Sequence, residues 1–203
     1  MKFAIRKTVY FSFLIITVIF IAGCQSKSKD IGRSPTLLDN VISRDGKVYE
    51  FEHIPWFMKR EDVMKELDLK EEDITLLQDG DTMKISHTIP FKKPKTEATV
   101  IYNFDDNQLV SGTYVINAGS EDELVRVGTE LKKTLEDFFP KPAGNTLEEL
   151  SEEVLRSGKS SGVRWEGEDH SSFDISIPEP KSEYIMTLSV HGPKEPKKSL
   201  QDE

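Results

Sequence analysis

The chain has 203 residues, with 27 Lys and Arg against 36 Asp and Glu and a formal net charge of −9. The 23 residues before Cys24 hold three basic residues and no acid, which leaves 24 basic against 36 acidic residues over the remaining 180, a net of −12. That field repels a polyanion and contains no basic stripe, so nucleic acid is disfavoured as a partner. One long apolar run disfavours a polytopic membrane protein, and a single Cys permits neither an internal disulfide framework nor a multi-Cys metal site.

The amino terminus carries the clearest signal. Lys2, Arg6 and Lys7 form a basic head, and no charge follows from Thr8 to Ser26. Val9 to Ile21 is an apolar core rich in Ile and Phe, and it closes on the small residues Ala22 and Gly23 before Cys24. A basic head, an apolar middle and a small-residue exit are the parts of a secretory signal, and the retained basic end directs the following chain outward. Ile21-Ala22-Gly23-Cys24 resembles the lipobox of bacterial lipoproteins. The resemblance implies cleavage between Gly23 and Cys24 and a diacylglyceryl thioether on the Cys24 sulfur. Two acyl chains, at about 0.8 kcal/mol per buried methylene, hold a protein on a bilayer where one does not. A retained transmembrane helix is the alternative, because the uncharged stretch is just long enough to span. Gln25 stands where an Asp would resemble an inner-membrane retention signal, and the Lys-, Ile- and Glu-rich usage leans toward a low-GC Gram-positive host.

The expected organisation is a signal peptide over 1–23, the lipidated Cys24 with a flexible tether over 24–40, a folded domain over 41–192 and a disordered tail over 193–203. The polar composition of the tether and the Pro- and Lys-rich tail support these limits. About 150 residues are enough to bury a real core.

Within the domain, Val48 to Phe51 suggests a short strand after the Asp45-Gly46 turn. Lys59 to Leu69 follows as a helix with Val63, Met64 and Leu67 on one face and acids in its first turn. Alternation predicts strands at Met83 to Ile89, Ala98 to Phe104 and Leu109 to Ile116, the last two joined through Asp105-Asp106-Asn107. Ser120 and Glu123 form a capping-box pattern that opens the strongest helix, with Leu124, Val127, Leu131, Leu135 and Phe138 at spacings of three and four before Pro140. Thr146 and Glu149 repeat the pattern before a shorter helix that stops at Gly158. Strands are predicted at Val163 to Gly167, Ser172 to Ile177 and Tyr184 to His191.

Strands in antiparallel runs make this α+β: an antiparallel sheet of about six to seven strands with three helices packed on it. A helix followed by three strands occurs at 59–117 and again at 146–191, so two α-βββ repeats are an expectation, although the halves share no residue-level identity. Ile54-Pro55-Trp56-Phe57-Met58-Lys59-Arg60-Glu61-Asp62-Val63 is similar to the aromatic turn and acidic helix start of BamE-like assembly lipoproteins and of the β-lactamase-inhibitor-protein fold. It departs from them at Phe57 and Lys59, where Gly and a capping Ser or Thr are usual. The resemblance implies a module that binds other proteins and catalyses nothing.

The search for chemistry turns up little. His53, His87, His170 and His191 show no ligand spacing. Glu166, Glu168, Asp169 and His170 form an acidic cluster that reads as a solvated turn, so no metal and no cofactor is expected. No nucleophile elbow or Ser-x-x-Lys set is present, and the scattered carboxylates single out no glycosidase pair. Trp56 and Phe57 are a candidate partner patch, weighed against a core plug that staples the helix start. Trp165 and His87 are expected in the core. The expected function is therefore a lipid-anchored, non-catalytic protein-binding or assembly module on the outer face of the cell membrane, partnered by the membrane and another envelope protein. The alternative is an envelope hydrolase with a carboxylate-based site, which requires a cleft where two carboxylates, or a carboxylate and a His, converge with shifted pKa values.

Overall fold

The computed structural model describes residues 36–43, 47–79, 82–179 and 183–194, with backbone alone at 73, 76–79 and 82–85. The signal, Gly23 and Cys24 lie outside these residues, as do the tail beyond Lys194 and most of the tether.

Seven antiparallel strands form one sheet: β1 (Thr75–Asp79), β2 (Thr82–Lys92), β3 (Lys95–Asp105), β4 (Gln108–Asn117), β5 (Ser161–Glu166), β6 (Ser172–Ile177) and β7 (Ile185–His191). Their order is β1-β2-β3-β4-β7-β6-β5. The helices are α1 (Arg60–Glu66), α2 (Glu121–Phe138) and α3 (Glu152–Arg156). The chain is thus α+β as the pattern of elements predicts. The order is also symmetrical about the β4–β7 pair, with β2-β3-β4 on one side and β5-β6-β7 on the other. A short helix precedes each set, which is the arrangement expected of two α-βββ halves, with β1 added at one edge. Thr113 and Ser189 pair at the centre of that junction, their hydroxyls 3.1 Å apart.

One face of the sheet holds the core. Val100, Tyr102 and Phe104 of β3, Tyr114 and Ile116 of β4, Leu188 and Val190 of β7, and Phe173 and Ile175 of β6 are all buried there. The two-residue period of a strand sends these side chains one way and their neighbours the other. Helix α2 lies over this face through Leu124, Val127, Leu131 and Leu135, each worth about 1.5–3 kcal/mol of burial. Its N-terminus is capped as predicted, with Ser120 Oγ accepting from the Glu123 amide at 3.2 Å. Gly128 lets α2 approach closely, because a Cβ there would meet Leu155 of α3 at 2.6 Å and Met186 of β7 at 3.2 Å.

The segment before α1 covers the rest of this face. Leu37, Leu38 and Asn40 are buried in a single 3-10 turn, so the folded domain begins inside the stretch assigned to the tether. Thr36 bridges Lys93 in the β2–β3 turn. The strand expected at Val48 to Phe51 is reduced to isolated bridges, Tyr49 to Ile42 and Phe51 to Ile54. Glu52 and His53 take positive φ values of 55° and 58°, which turns the chain before a ladder can extend. That turn inserts Phe51 over Gly112 and brings Glu52, itself buried, to 2.6 Å from the Tyr114 hydroxyl.

Other departures have local causes. Helix α1 is shorter than predicted, because Asp68 takes φ 51° just after it. Strand β1 was not foreseen: Thr75-Leu-Leu-Gln-Asp lacks alternation, and only pairing with β2 defines it. The helix predicted from Thr146 to Gly158 is broken at Ser151, whose extended ψ of 153° separates a 3-10 turn (Leu147–Leu150) from α3. Arg156 then ties α3 to the start of α2, contacting Glu121 at 2.8 Å and Asp122 at 2.9 Å. Asp106 and Asn107 both have positive φ, 46° and 60°, as a two-residue hairpin turn that matches strand twist requires. Asn107 also donates to Glu61 at the start of α1 at 3.3 Å. Glu61 is held below the usual carboxylate range by a backbone hydrogen bond first, then by Arg60 and Asn107.

Candidate functional site on the uncovered sheet face

Among the described residues, no helix covers the opposite face of the sheet. Register places its side chains in rows. One row runs Ile101, Thr113, Ser189, Asp174 and Arg164 across β3, β4, β7, β6 and β5. The next runs Asn103, Ser111, His191, Ser172 and Glu166. Each row holds two small hydroxyl residues, Thr113 and Ser189 in the first and Ser111 and Ser172 in the second, among larger apolar, amide and charged side chains.

A cavity of about 560 Å³ opens at one end of this face. That size is typical of small-ligand sites. Ser111, Ser172, His191 and Arg164 of the sheet line it, and His170 and Lys194 add to this wall. Asp105 and Asp106 of the β3–β4 turn close the other side, and Phe57 and Gly192 stand on the rim. A bulge helps shape it. Asn103 pairs with Ser111 but Phe104 pairs with Leu109, leaving Val110 as the extra residue on β4. A bulge bends the strand and re-aims its side chains; here Val110 lines the cavity.

A polar cluster lies beneath the wall. Arg164 donates from Nη1 to Asp174 at 3.1 Å and from Nη2 to Ser172 Oγ at 3.1 Å. Asp174 lies 3.7 Å from His191 Nε2. Burial, the largest effect, raises the Asp174 carboxyl above its usual range, against the opposing pull of Arg164, His191 and Ser172. The short Arg164 contact alone would predict the reverse. Arg164 is 53% exposed, so solvent screens its charge while Asp174 stays largely desolvated, and the desolvation prevails. Ser111 is almost fully buried and accepts from Asn103 Nδ2 at 3.0 Å, which leaves its own O–H to point elsewhere.

The residues singled out from sequence distribute unevenly. Trp56 packs against the core, donates from Nε1 to the Tyr49 carbonyl at 3.0 Å and covers Gly192, where a Cβ would meet its ring at 2.8 Å. Phe57 is half-buried, takes φ 64° and borders the cavity. The candidate patch is therefore split: Trp56 staples the chain, and Phe57 meets the open face. Trp165 is in the core as expected, stacked on Phe173 with centroids 5.1 Å apart and donating to the Pro140 carbonyl. His87 is half-buried on the core-side face and stacks on Tyr102.

In the acidic cluster, Asp169 caps the turn through the Ser171 amide, Glu168 lies 3.7 Å from Lys47, and Glu166 lies 3.7 Å from Arg164. Among the described residues, no three His, Cys, Asp or Glu groups are placed to hold a metal ion, and no helix is long and apolar enough to cross a membrane. The Arg164–Asp174–His191 grouping was missed, because its members are spread over 28 positions and read as outward-facing residues of ordinary strands. Their only sequence signal was a set of predicted strands whose polar sides had no partner. Set against known proteins, the chain matches no family model, no curated protein and no solved structure.

Proposed function

We propose that this chain is a lipid-anchored, non-catalytic binding or assembly module on the outer face of the cell membrane, and that it engages another envelope protein through the uncovered sheet face. The observation that carries the reading is the one-sided sheet. Helices and the segment before α1 pack on one face, while five strands present aligned rows of hydroxyl, amide and charged side chains on the other. A face of that kind offers a backbone-ordered platform with hydrogen-bonding groups for a protein partner. The anchor rests on the lipobox resemblance at Ile21 to Cys24.

The test is crosslinking from the intact protein in its own cells, with photoreactive groups at Thr113 and Thr187 on the open face and at Lys133 on α2. Crosslinks to one envelope protein from the sheet positions and not from Lys133 support the reading. Crosslinks from Lys133 alone overturn it. Mass spectrometry of the same protein should find a diacylglyceryl Cys24 as the first residue, and an unprocessed leader with a bare thiol removes the anchor.

A specific observation favours a second reading, an envelope hydrolase. A carboxylate with a raised pKa, Asp174, lies 3.7 Å from His191, which lines a cavity. That is the kind of convergence a carboxylate-based site needs. Turnover of cell-wall, ester or phosphate substrates that is lost in Asp174→Asn would establish this reading in place of the first.

A further inference from the structure

The cavity at the end of the open face holds hydrogen-bonding groups that the fold itself leaves unused. Asp105 and Gln108 face each other as the last pair before the β3–β4 turn, and both line the cavity together with Asp106, His170 and Lys194. Among the described residues, none of these side chains makes a hydrogen bond or an ion pair. Ser111 accepts from Asn103 Nδ2 and keeps its own hydroxyl proton for another acceptor. Charges of both signs are interspersed. Asp105 and Asp106 share the lining with Lys194, and Arg164 is flanked by Asp174 at 3.1 Å and Glu166 at 3.7 Å. A charged ligand of either sign would meet like charge here, whereas a neutral ligand rich in hydroxyls can both donate and accept. Phe57 adds an apolar surface. Its φ of 64° is a conformation that a bulky side chain rarely adopts, and glycine would take it without strain. Backbone hydrogen bonds hold it there, from the Phe57 amide to the Leu109 carbonyl at 3.0 Å and from the Leu109 amide to the Met58 carbonyl at 2.9 Å. Strained backbone of this kind is concentrated at ligand clamps, and here it sets an aromatic ring on the cavity rim.

We propose that this cavity binds a neutral saccharide, with the C–H face of one pyranose ring against Phe57 and adjacent hydroxyls of that ring at Asp105 and Gln108. The face of an aromatic ring is its negative side and attracts polarised C–H groups. A carboxylate paired with an amide offers acceptors and donors side by side, which two neighbouring hydroxyls can satisfy together. Spacing fits one ring. Gln108 pairs with Asp105 on one side, and on the other side its neighbour Leu109 is hydrogen-bonded to Phe57. The three residues thus span about two strand spacings, or about 10 Å from backbone to backbone. Ser111 and His191, further along the open face, remain for a linked unit. The site is additional to the protein-docking role proposed above, requires no turnover, and stands or falls separately.

Saturation-transfer NMR on the full-length chain in polyoxyethylene micelles, which carry no sugar, tests the assignment. The neutral probes are glucose, galactose, mannose and N-acetylglucosamine, each also as its methyl glycoside and its β-1,4-linked disaccharide. Fully O-methylated forms, glucuronate and glucosamine are the comparisons. At least one neutral sugar should bind, O-methylation should abolish that binding, and both charged sugars should bind more weakly than the best neutral one. Phe57→Gly, which suits the backbone at that position, and Gln108→Ala should each weaken binding roughly tenfold while urea denaturation shows the fold retained. Preference for the methyl glycosides would identify a unit of a glycan chain, and preference for the free sugars a soluble sugar; both support the class. Binding of none of the neutral sugars overturns the proposal, as does binding that the folded variants leave intact or that a charged sugar exceeds. If the sugars are ignored while the open face still crosslinks a partner, this inference alone is lost.

Discussion

The ring of Phe51 occupies the space in which a side chain at position 112 would stand: a Cβ on Gly112 would lie only 1.9 Å from Phe51 Cδ1. This contact is where the irregular segment before α1 is seated on the sheet, because the same ring also meets Tyr102 and Tyr114. Gly112→Ala should therefore destabilise the fold by about 1–3 kcal/mol through overpacking. Urea denaturation measures this. Gly112→Ala combined with Phe51→Leu should cost less than the sum of the two single changes, and strict additivity would mean that the two residues do not share the space.

Asp174 predicts a pH dependence of definite sign. Its carboxyl is raised in the folded state, mainly by burial, so the native protein holds that proton more tightly than the unfolded chain. The group's contribution to stability is then greatest below the ordinary aspartate value of about 3.9, and it declines as pH rises from there through the folded value. Asp174→Asn should abolish this declining component and leave the protein at least as stable at pH 7. Urea midpoints between about pH 3.5 and 7 report it. A variant that is clearly weaker at pH 7 would mean that attraction to Arg164 outweighs desolvation.

The buried pair Glu52 and Tyr114 offers a third test. Tyr114 donates to Glu52 Oε1 at 2.6 Å, and both residues are almost fully inaccessible to solvent. Tyr114→Phe keeps the ring contacts with Phe51 and Phe91 but withdraws that donor from a buried carboxylate. The expected cost is about 1–3 kcal/mol, read as a lowered denaturation midpoint. A neutral result would show that the other groups around Glu52 replace the lost donor.

Ser120 closes the N-terminus of α2 through the Glu123 amide. Ser120→Ala should cost about 1 kcal/mol, and Ser120→Asp should cost little, since both Ser and Asp cap well. Thermal unfolding followed by circular dichroism distinguishes them.

Elements with a strong period were legible before any coordinates. Helix α2 could be read from Leu124, Val127, Leu131 and Leu135 together with its cap, and strands β3, β4, β6 and β7 from alternation that recurs in their burial patterns. Segments shaped by tertiary contact were not. The turn at Glu52 and His53, the break at Ser151 and strand β1 depend on what each segment packs or pairs against, which a local window does not contain. The cavity was illegible for a different reason. Ser111, Arg164, Asp174 and His191 each look like an ordinary outward position, and they meet only because β4, β7, β6 and β5 are neighbours in an order unlike their order in the chain.

The bridge between Thr36 and Lys93 has a geometric corollary. It fixes the point where the leading segment joins the fold at the β2–β3 turn, whereas the cavity lies beyond the opposite end of β3. Eleven residues of strand amount to roughly 36 Å. An anchor of the kind proposed at Cys24 would therefore enter the fold at the end of the sheet remote from the cavity, so that the tether and a docked ligand would not compete for the same edge.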